Sequence, residues 1–308
     1  RRDSLGSNGL LSTIHDRRLR KHLCMLANAG IIEKKTSKLM INGKTVMRES
    51  RMNASTIGYE TRNIGSLASK LGADLFGVAS LSLYQDPYGV SKPLLSRYTF
   101  GISIAIKLSD EIIDRITEED PTEAYAHHYR QVNALLDSIA FKIAEYCEGR
   151  GYKAEPIPAS QVIDELKLVG IISHKAIAAL AGIGWLGRSL LIVNEKFGPR
   201  IRLASVLTTL PLTANSPLKN RCGECTVCVK TCPVQAIKGT YFTERPSSRE
   251  EAVDVRACNE RLLEIESNPR FGTRVCGICV KACPFGKKSA AGNKKILSGV
   301  VSPTGGHD

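Results

Sequence analysis

A chain of 308 residues, 43% hydrophobic and 24% charged, has the length and apolar content for one large or two modest cores. No run of 18 apolar residues occurs, so no membrane span is expected, and neither a secretory signal nor a lipidation motif opens the chain. The net charge of +13 is uneven: residues 1–51 hold 12 Lys and Arg against 4 Asp and Glu, so a basic N-terminal segment, rather than a basic surface throughout, is expected.

That segment starts with Arg1 rather than Met, as a fragment or processed product would; Met52 is an alternative start. Over residues 11–35, Leu19, Leu23, Leu26 and Ile31 stand close to helical spacing and Gly30 supplies a stop. The run KLMINGKTVMR then predicts two short strands about Asn42-Gly43, a hairpin turn signal. A basic helix followed by a hairpin is half of a winged helix, so residues 1–51 are read either as a nucleic-acid contact or as a solvated leader.

From Ile64 the pattern becomes α/β. Residues 64–73 read as an amphipathic helix, 74–81 and 99–108 as strands, and 122–149 as a long helix with Ala126, Tyr129, Val132, Leu136, Ile139, Ile143 and Tyr146 on one face. YKAEPIP is extended, a short helix runs from Ser173 to Ala181, and SLLIVN and IRLASVLTTL are further strands. The expected architecture is an α/β core over residues 52–214, a cysteine-rich domain over 215–290 and a tail over 291–308.

Eight of the ten cysteines fall between positions 222 and 283. One motif is Cys222-Gly-Glu-Cys225-Thr-Val-Cys228-Val-Lys-Thr-Cys232-Pro. The other is Cys276-Gly-Ile-Cys279-Val-Lys-Ala-Cys283-Pro, with Cys258 upstream by 17 intervening residues. C-x2-C-x2-C-x3-C-P is the run of two-cluster bacterial ferredoxins, in which the fourth cysteine ligates the other cluster. By that rule one [4Fe–4S] cluster takes Cys222, Cys225, Cys228 and Cys283. The other takes Cys276, Cys279, Cys232 and the remaining thiolate of the region, Cys258. Zinc explains four cysteines but not two runs ending in Cys-Pro plus Cys258. Reduced thiolates in a chain with no export signal point to the cytoplasm. Cys24 and Cys147 lie on predicted helices and read as small buried hydrophobes.

Gly182-Ile-Gly184-Trp185-Leu-Gly187 matches G-x-G-x-x-G, but a helix precedes it and a strand follows, the reverse of a dinucleotide site. Two readings remain for this turn: helix–strand packing, or a backbone approach to a cofactor at Gly182, Gly184, Trp185 and Gly187.

HKAIAALAGIGWLGRSLLIVNEKFG, the CGECTVC and CGICVKACP motifs and the RACNERLLEIE block between them, in that order, resemble the epoxyqueuosine reductases, a family related to the reductive dehalogenases. The resemblance covers roughly residues 66–286. It implies a nitroreductase-like α/β core that holds cobalamin base-off, two [4Fe–4S] clusters feeding it electrons, and reduction of an epoxide on a tRNA wobble nucleoside. It also supports Cys258 as a ligand. The chain departs from the family at the proton donor: the position of the family's aspartate, in V-D-x-G-P-V, is Leu168, within KLVGIIS. Asp164, with Glu165 beside it, is the nearest replacement, and Asp164 is expected to face the cavity as the acid. The D-Y-H segment corresponds only loosely to Ala126-His127-His128-Tyr129.

The leading expectation is a cobalamin-dependent reductase acting on a tRNA or a small molecule and fed by an external donor such as a ferredoxin or flavodoxin. The second is an electron-transfer protein without cobalamin that serves a partner enzyme. The third is a redox-sensing regulator binding DNA through its basic N-terminus.

Overall fold

The computed structural model describes residues 52–85 and 91–287, with the backbone of two short strands in the preceding segment. The chain divides into two compact units, Arg1–Arg51 and Met52–Asp308. In the first, β1 (Leu39–Ile41) and β2 (Lys44–Val46) pair antiparallel with Ile41 opposite Lys44, the hairpin expected about Asn42-Gly43. The helix expected over 11–35 and the tail over 291–308 lie outside the described residues.

The second unit has a mixed α/β fold. Its sheet comprises β3 (Leu75–Ser80), β4 (Phe100–Lys107), β5 (Ala154–Ile157) and β8 (Ile201–Thr208) in the order β3-β4-β8-β5, and every neighbouring pair is antiparallel. The inner strands β4 and β8 are buried along nearly their whole length, which is why both read as continuous apolar runs. Ile102, Ile104, Ala204 and Val206 face a core shared with the helices Ala54–Lys70 and Glu123–Glu148; the fully buried isoleucines each contribute about 1.5–3 kcal/mol. The opposite face, with Ala105, Leu203 and Leu207, packs on the helix His174–Leu180.

That short helix lies close to the sheet because small residues lie across it: Gly77 pairs with Ser103, and Ser103 with Ser205. A Cβ on Gly77 would run into the carbonyl of Ala181. His174 fixes the helix start, its Nδ1 2.9 Å from Ser205 Oγ and its Nε2 2.8 Å from the Pro158 carbonyl.

Two elements differ from the sequence reading. The first helix begins at Ala54, ten residues earlier than expected, because Asn53 caps it by accepting the Thr56 N–H at 2.8 Å. SLLIVN is not a full strand: only Ile192–Val193 (β7) pairs, with Trp185–Leu186 (β6), after a turn that puts Leu190 at φ 55°. Among the described residues no helix is long and apolar enough to cross a membrane.

Candidate functional site

Asn220 fixes the entry to the cysteine region. Its amide donates to the carbonyls of Leu186 and Phe242, and its Oδ1 accepts the N–H of Cys222 at 2.8 Å. The chain then turns through Cys222-Gly-Glu-Cys225, with Cys225 N bonded to the Cys222 carbonyl. Gly223 sits at φ +52° and Gly277, in the same place of the second motif, at φ +79°. Both loops therefore need a residue free of the left-handed penalty directly after their first cysteine.

Cys222, Cys225, Cys228 and Cys283 line one cavity, together with Gly187, Arg188, Ser189, Val193, Pro284 and Phe285. We call this site 1; the last cysteine of the second motif has come back to the first three of the first motif. Burial and the neighbouring thiols push the Cys283 thiol up to about 12 and that of Cys228 to about 11. Cys232, Cys258, Cys276 and Cys279 form a second group, site 2. The Cys258 thiol is raised by burial, then by Cys276 and Cys232. Cys279, the most enclosed, is raised by burial, then by Cys276, Cys258, Cys228 and Cys232; the influence of Cys228 marks the two sites as adjacent. Cys258 lies in the first turn of the helix Val255–Ser267, whose N-cap Asp254 accepts from Arg256 and Ala257.

The donor sets suit iron–sulfur chemistry: four thiols each, whose protons a bound metal must displace. Two buried N–H groups beside the first loop, Arg188 Nε and Trp185 Nε1, have no hydrogen-bond partner. Among the described residues no group of three or more His, Cys, Asp and Glu could hold a single metal ion.

Site 2 packs against the α/β core. A Cβ on Gly277 would lie 2.6 Å from Ile116 and 2.8 Å from Tyr125, and Lys281 Nζ reaches the Ile116 carbonyl at 2.6 Å. The buried Tyr125 phenol is raised mainly by desolvation, with Arg202, Tyr129, Cys279 and Cys276 nearby. Lys175 is solvent-exposed, and desolvation by its neighbours lowers its pKa. The charges around it are Cys258, Cys279, Arg249 and Arg202. Lys175 thus lies on the helix His174–Leu180 within electrostatic reach of two cysteines of site 2.

The loop between β5 and that helix is fastened over this region. Arg249 donates to the carbonyls of Leu168 (2.9 Å) and Lys167, and Arg274 pairs with Glu165 at 3.1 Å. Leu168 takes φ +52°. Asp164 closes the loop on itself: its Oδ1 accepts the N–H groups of Leu166 (3.0 Å) and Lys167 (2.8 Å). Sequence reading missed Arg249, Arg274 and Lys175, because their partners lie far away along the chain. His128, in the loosely matching segment, accepts the Ser109 N–H at 3.1 Å, and burial lowers its pKa.

In the glycine turn, the space of a Cβ on Gly184 is taken by the Val193 carbonyl, and on Gly182 by the Ser216 carbonyl at 2.8 Å. Trp185 is buried edge-on against Phe285, centroids 5.0 Å apart. The chain's own backbone thus fills the approaches at Gly182 and Gly184. Gly187 alone faces a candidate ligand, its added Cβ falling 3.5 Å from Cys222 Sγ.

Residues 221–286 match the family model of the 4Fe-4S double cluster binding domain. The chain is 26% identical over 208 residues to an epoxyqueuosine reductase of Aliivibrio fischeri, covering 58% of this chain and 50% of that one. It is 31% identical over 189 residues to that of Salmonella typhimurium, covering 56% and 44%. A solved reductive dehalogenase, described in terms of B12-dependent dehalogenation, superposes with a TM-score of 0.61 at 21% identity, covering 79% of this chain and 34% of that one. The chain thus spans half the length, or less, of these curated relatives.

Proposed function

We propose that this relative of the epoxyqueuosine reductases is an iron–sulfur oxidoreductase that takes single electrons from an external donor and passes them through site 1 and then site 2 toward the α/β core beside Lys175. The observation that carries the reading is the regrouping of the cysteines. Cys283 joins the first motif, and Cys258 joins Cys232, Cys276 and Cys279, giving two adjacent four-thiol sets beside an α/β core. The order of transfer follows from exposure: the loop at Gly223 and Glu224 is open to solvent, whereas Gly277 is buried.

Cobalamin would be held beside the helix His174–Leu180 rather than at the glycine turn, where backbone fills the approaches at Gly182 and Gly184. Lys175, with Arg202 near it, would offer positive charge to a phosphate-bearing cofactor there. When bound it would supply a strongly reducing cobalt centre for a tRNA epoxide or a smaller substrate. A ferredoxin or flavodoxin is the class of donor that suits the first site. Asp164 remains the loop's candidate for proton delivery. Asp164→Asn separates its two roles, because the amide oxygen still caps the turn but supplies no acid.

Anaerobic reconstitution tests the reading. About eight iron and eight sulfide per chain are expected, and a corrin absorption band should stay with the protein after gel filtration with cobalamin. Full cluster loading without a retained corrin would favour electron transfer to a partner enzyme. Iron near half that content would overturn the two-site assignment.

A further inference from the structure

Arg188, directly after the glycine turn, has no role in the reading above. Its side chain is only 7% exposed and lines the same cavity as Cys222, Cys225, Cys228 and Cys283. One terminal nitrogen donates to the Gly223 carbonyl at 2.6 Å, inside the cysteine loop; the other donates to the Gly239 carbonyl. Tyr241 covers the guanidinium, its ring centroid 5.3 Å away. Nε is buried and has no hydrogen-bond partner.

The environment is unusual in what it lacks. Among the described residues the other buried guanidinium, Arg200, is 1% exposed and is neutralised by Asp110 at 3.0 Å and Asp114 at 2.6 Å. Among the described residues no carboxylate pairs with Arg188. A buried cation bonded only to carbonyls is costly unless some other negative charge compensates it. The cavity wall offers four thiols, which would take that role only when deprotonated as the ligands of a cluster. A four-iron cluster held by four thiolates is anionic, and it gains one further negative charge when a donor reduces it.

We propose that Arg188 is the positioning and potential-setting residue of the cluster in site 1. Its fork holds the carbonyl of Gly223, and so the loop between Cys222 and Cys225. Its unpaired charge is compensated by the cluster, more fully after the cluster has accepted an electron, which raises the reduction potential. A bound cluster would bring sulfur acceptors into the cavity that Arg188 lines, where its buried Nε has no partner. The inference rests on the assignment of a [4Fe–4S] cluster to site 1, and that assignment is tested separately by the iron content of the unaltered chain.

The experiment uses the full chain reconstituted anaerobically, with Arg188→Gln and Arg188→Lys beside it. Iron and sulfide are counted, and both clusters are titrated with dithionite against mediators and followed by electron paramagnetic resonance. The Gln variant should show one of the two potentials moved to a lower value and the other in place, with the Lys variant moving the same potential by less. Two unmoved potentials in a fully loaded Gln variant would overturn the proposal. Should Gln fail to load site 1, Lys decides: a near-native potential upholds the role of the charge. Loss of site 1 from both variants would reduce Arg188 to a structural residue and also overturn it.

Discussion

The two Cys-Gly-x-Cys loops have the same backbone requirement and opposite surroundings. At Gly223 the left-handed turn stands at the surface, and an added Cβ would meet nothing within 4 Å. At Gly277 the same turn is pressed against Ile116 and Tyr125. The motif dictates how each loop turns, while residues far away in the chain decide whether it meets water or protein. Equal spacings therefore carry unequal roles: the open loop suits exchange with a partner, the enclosed one transfer inward.

The strongest break in that comparison comes from the cysteines that cross between motifs. Cys283→Ser should cost site 1, although residue 283 belongs to the second motif, and Cys258→Ser should cost site 2. Each variant should keep about half the iron, with electron paramagnetic resonance identifying the survivor. A Cys283→Ser chain that retains site 1 would reverse the assignment.

Alanine at the two glycines is the next test. Gly277→Ala faces overpacking of about 1–3 kcal/mol on top of a left-handed penalty of ~1 kcal/mol. Gly223→Ala faces only the latter. Thermal unfolding of the reconstituted proteins should show a large loss for the first and a small one for the second; equal losses would mean that the enclosed loop has room to relax.

A smaller effect is expected from Arg249→Ala, which removes the bonds to Leu168 and Lys167. Charge-assisted hydrogen bonds of this kind are worth about 1.5–3 kcal/mol. The loop over residues 160–170 should exchange its amides faster, and site 2 should yield iron to a chelator sooner, with site 1 unchanged. Uniform sensitisation of both sites would remove the distinction drawn between them.

Acid should give the mildest discrimination, through His174. Burial lowers its pKa from 6.5 to about 4, with Arg202 lowering it further and the Pro158 carbonyl and Asp137 acting in the opposite sense. The unfolded chain therefore binds the proton more readily. The stability this neutral imidazole carries is complete above the unfolded value of about 6.5 and is lost progressively as the pH falls toward 4. Because Lys175 follows His174 on the same helix, acid should perturb site 2 before site 1. His174→Gln should flatten the dependence.

How much of this was legible in advance follows from the range of each interaction. Strands β3, β4 and β8 and the long helix are close to their expected bounds because their apolar patterns are local and strong. The first helix was foreshortened because its opening turns, up to Arg62, have only Ile57 and Tyr59 as large apolar residues and depend on the Asn53 cap. The pairing order of the sheet has no signature in any one segment. The cysteine spacing raised the crossing, but neither the burial of Gly277 nor the nearness of Lys175 to site 2 can be read from its neighbours in sequence. Arg188 was within view as the residue closing the glycine turn. Its lack of a carboxylate becomes visible only when Gly223 and Gly239 are brought to it.

The return of Cys283 to Cys222 also bears on how the protein is made. A nascent chain that has emerged only as far as Cys258 has every ligand of the first motif and cannot complete either four-thiol set. Cluster insertion therefore waits for the Cys276–Cys283 stretch, and each cubane then staples the start of the region to its end, closing a long loop at the moment it forms. Under iron limitation the expected outcome is an unfastened cysteine region exposed to proteases, so iron supply would govern the amount of protein as well as its activity.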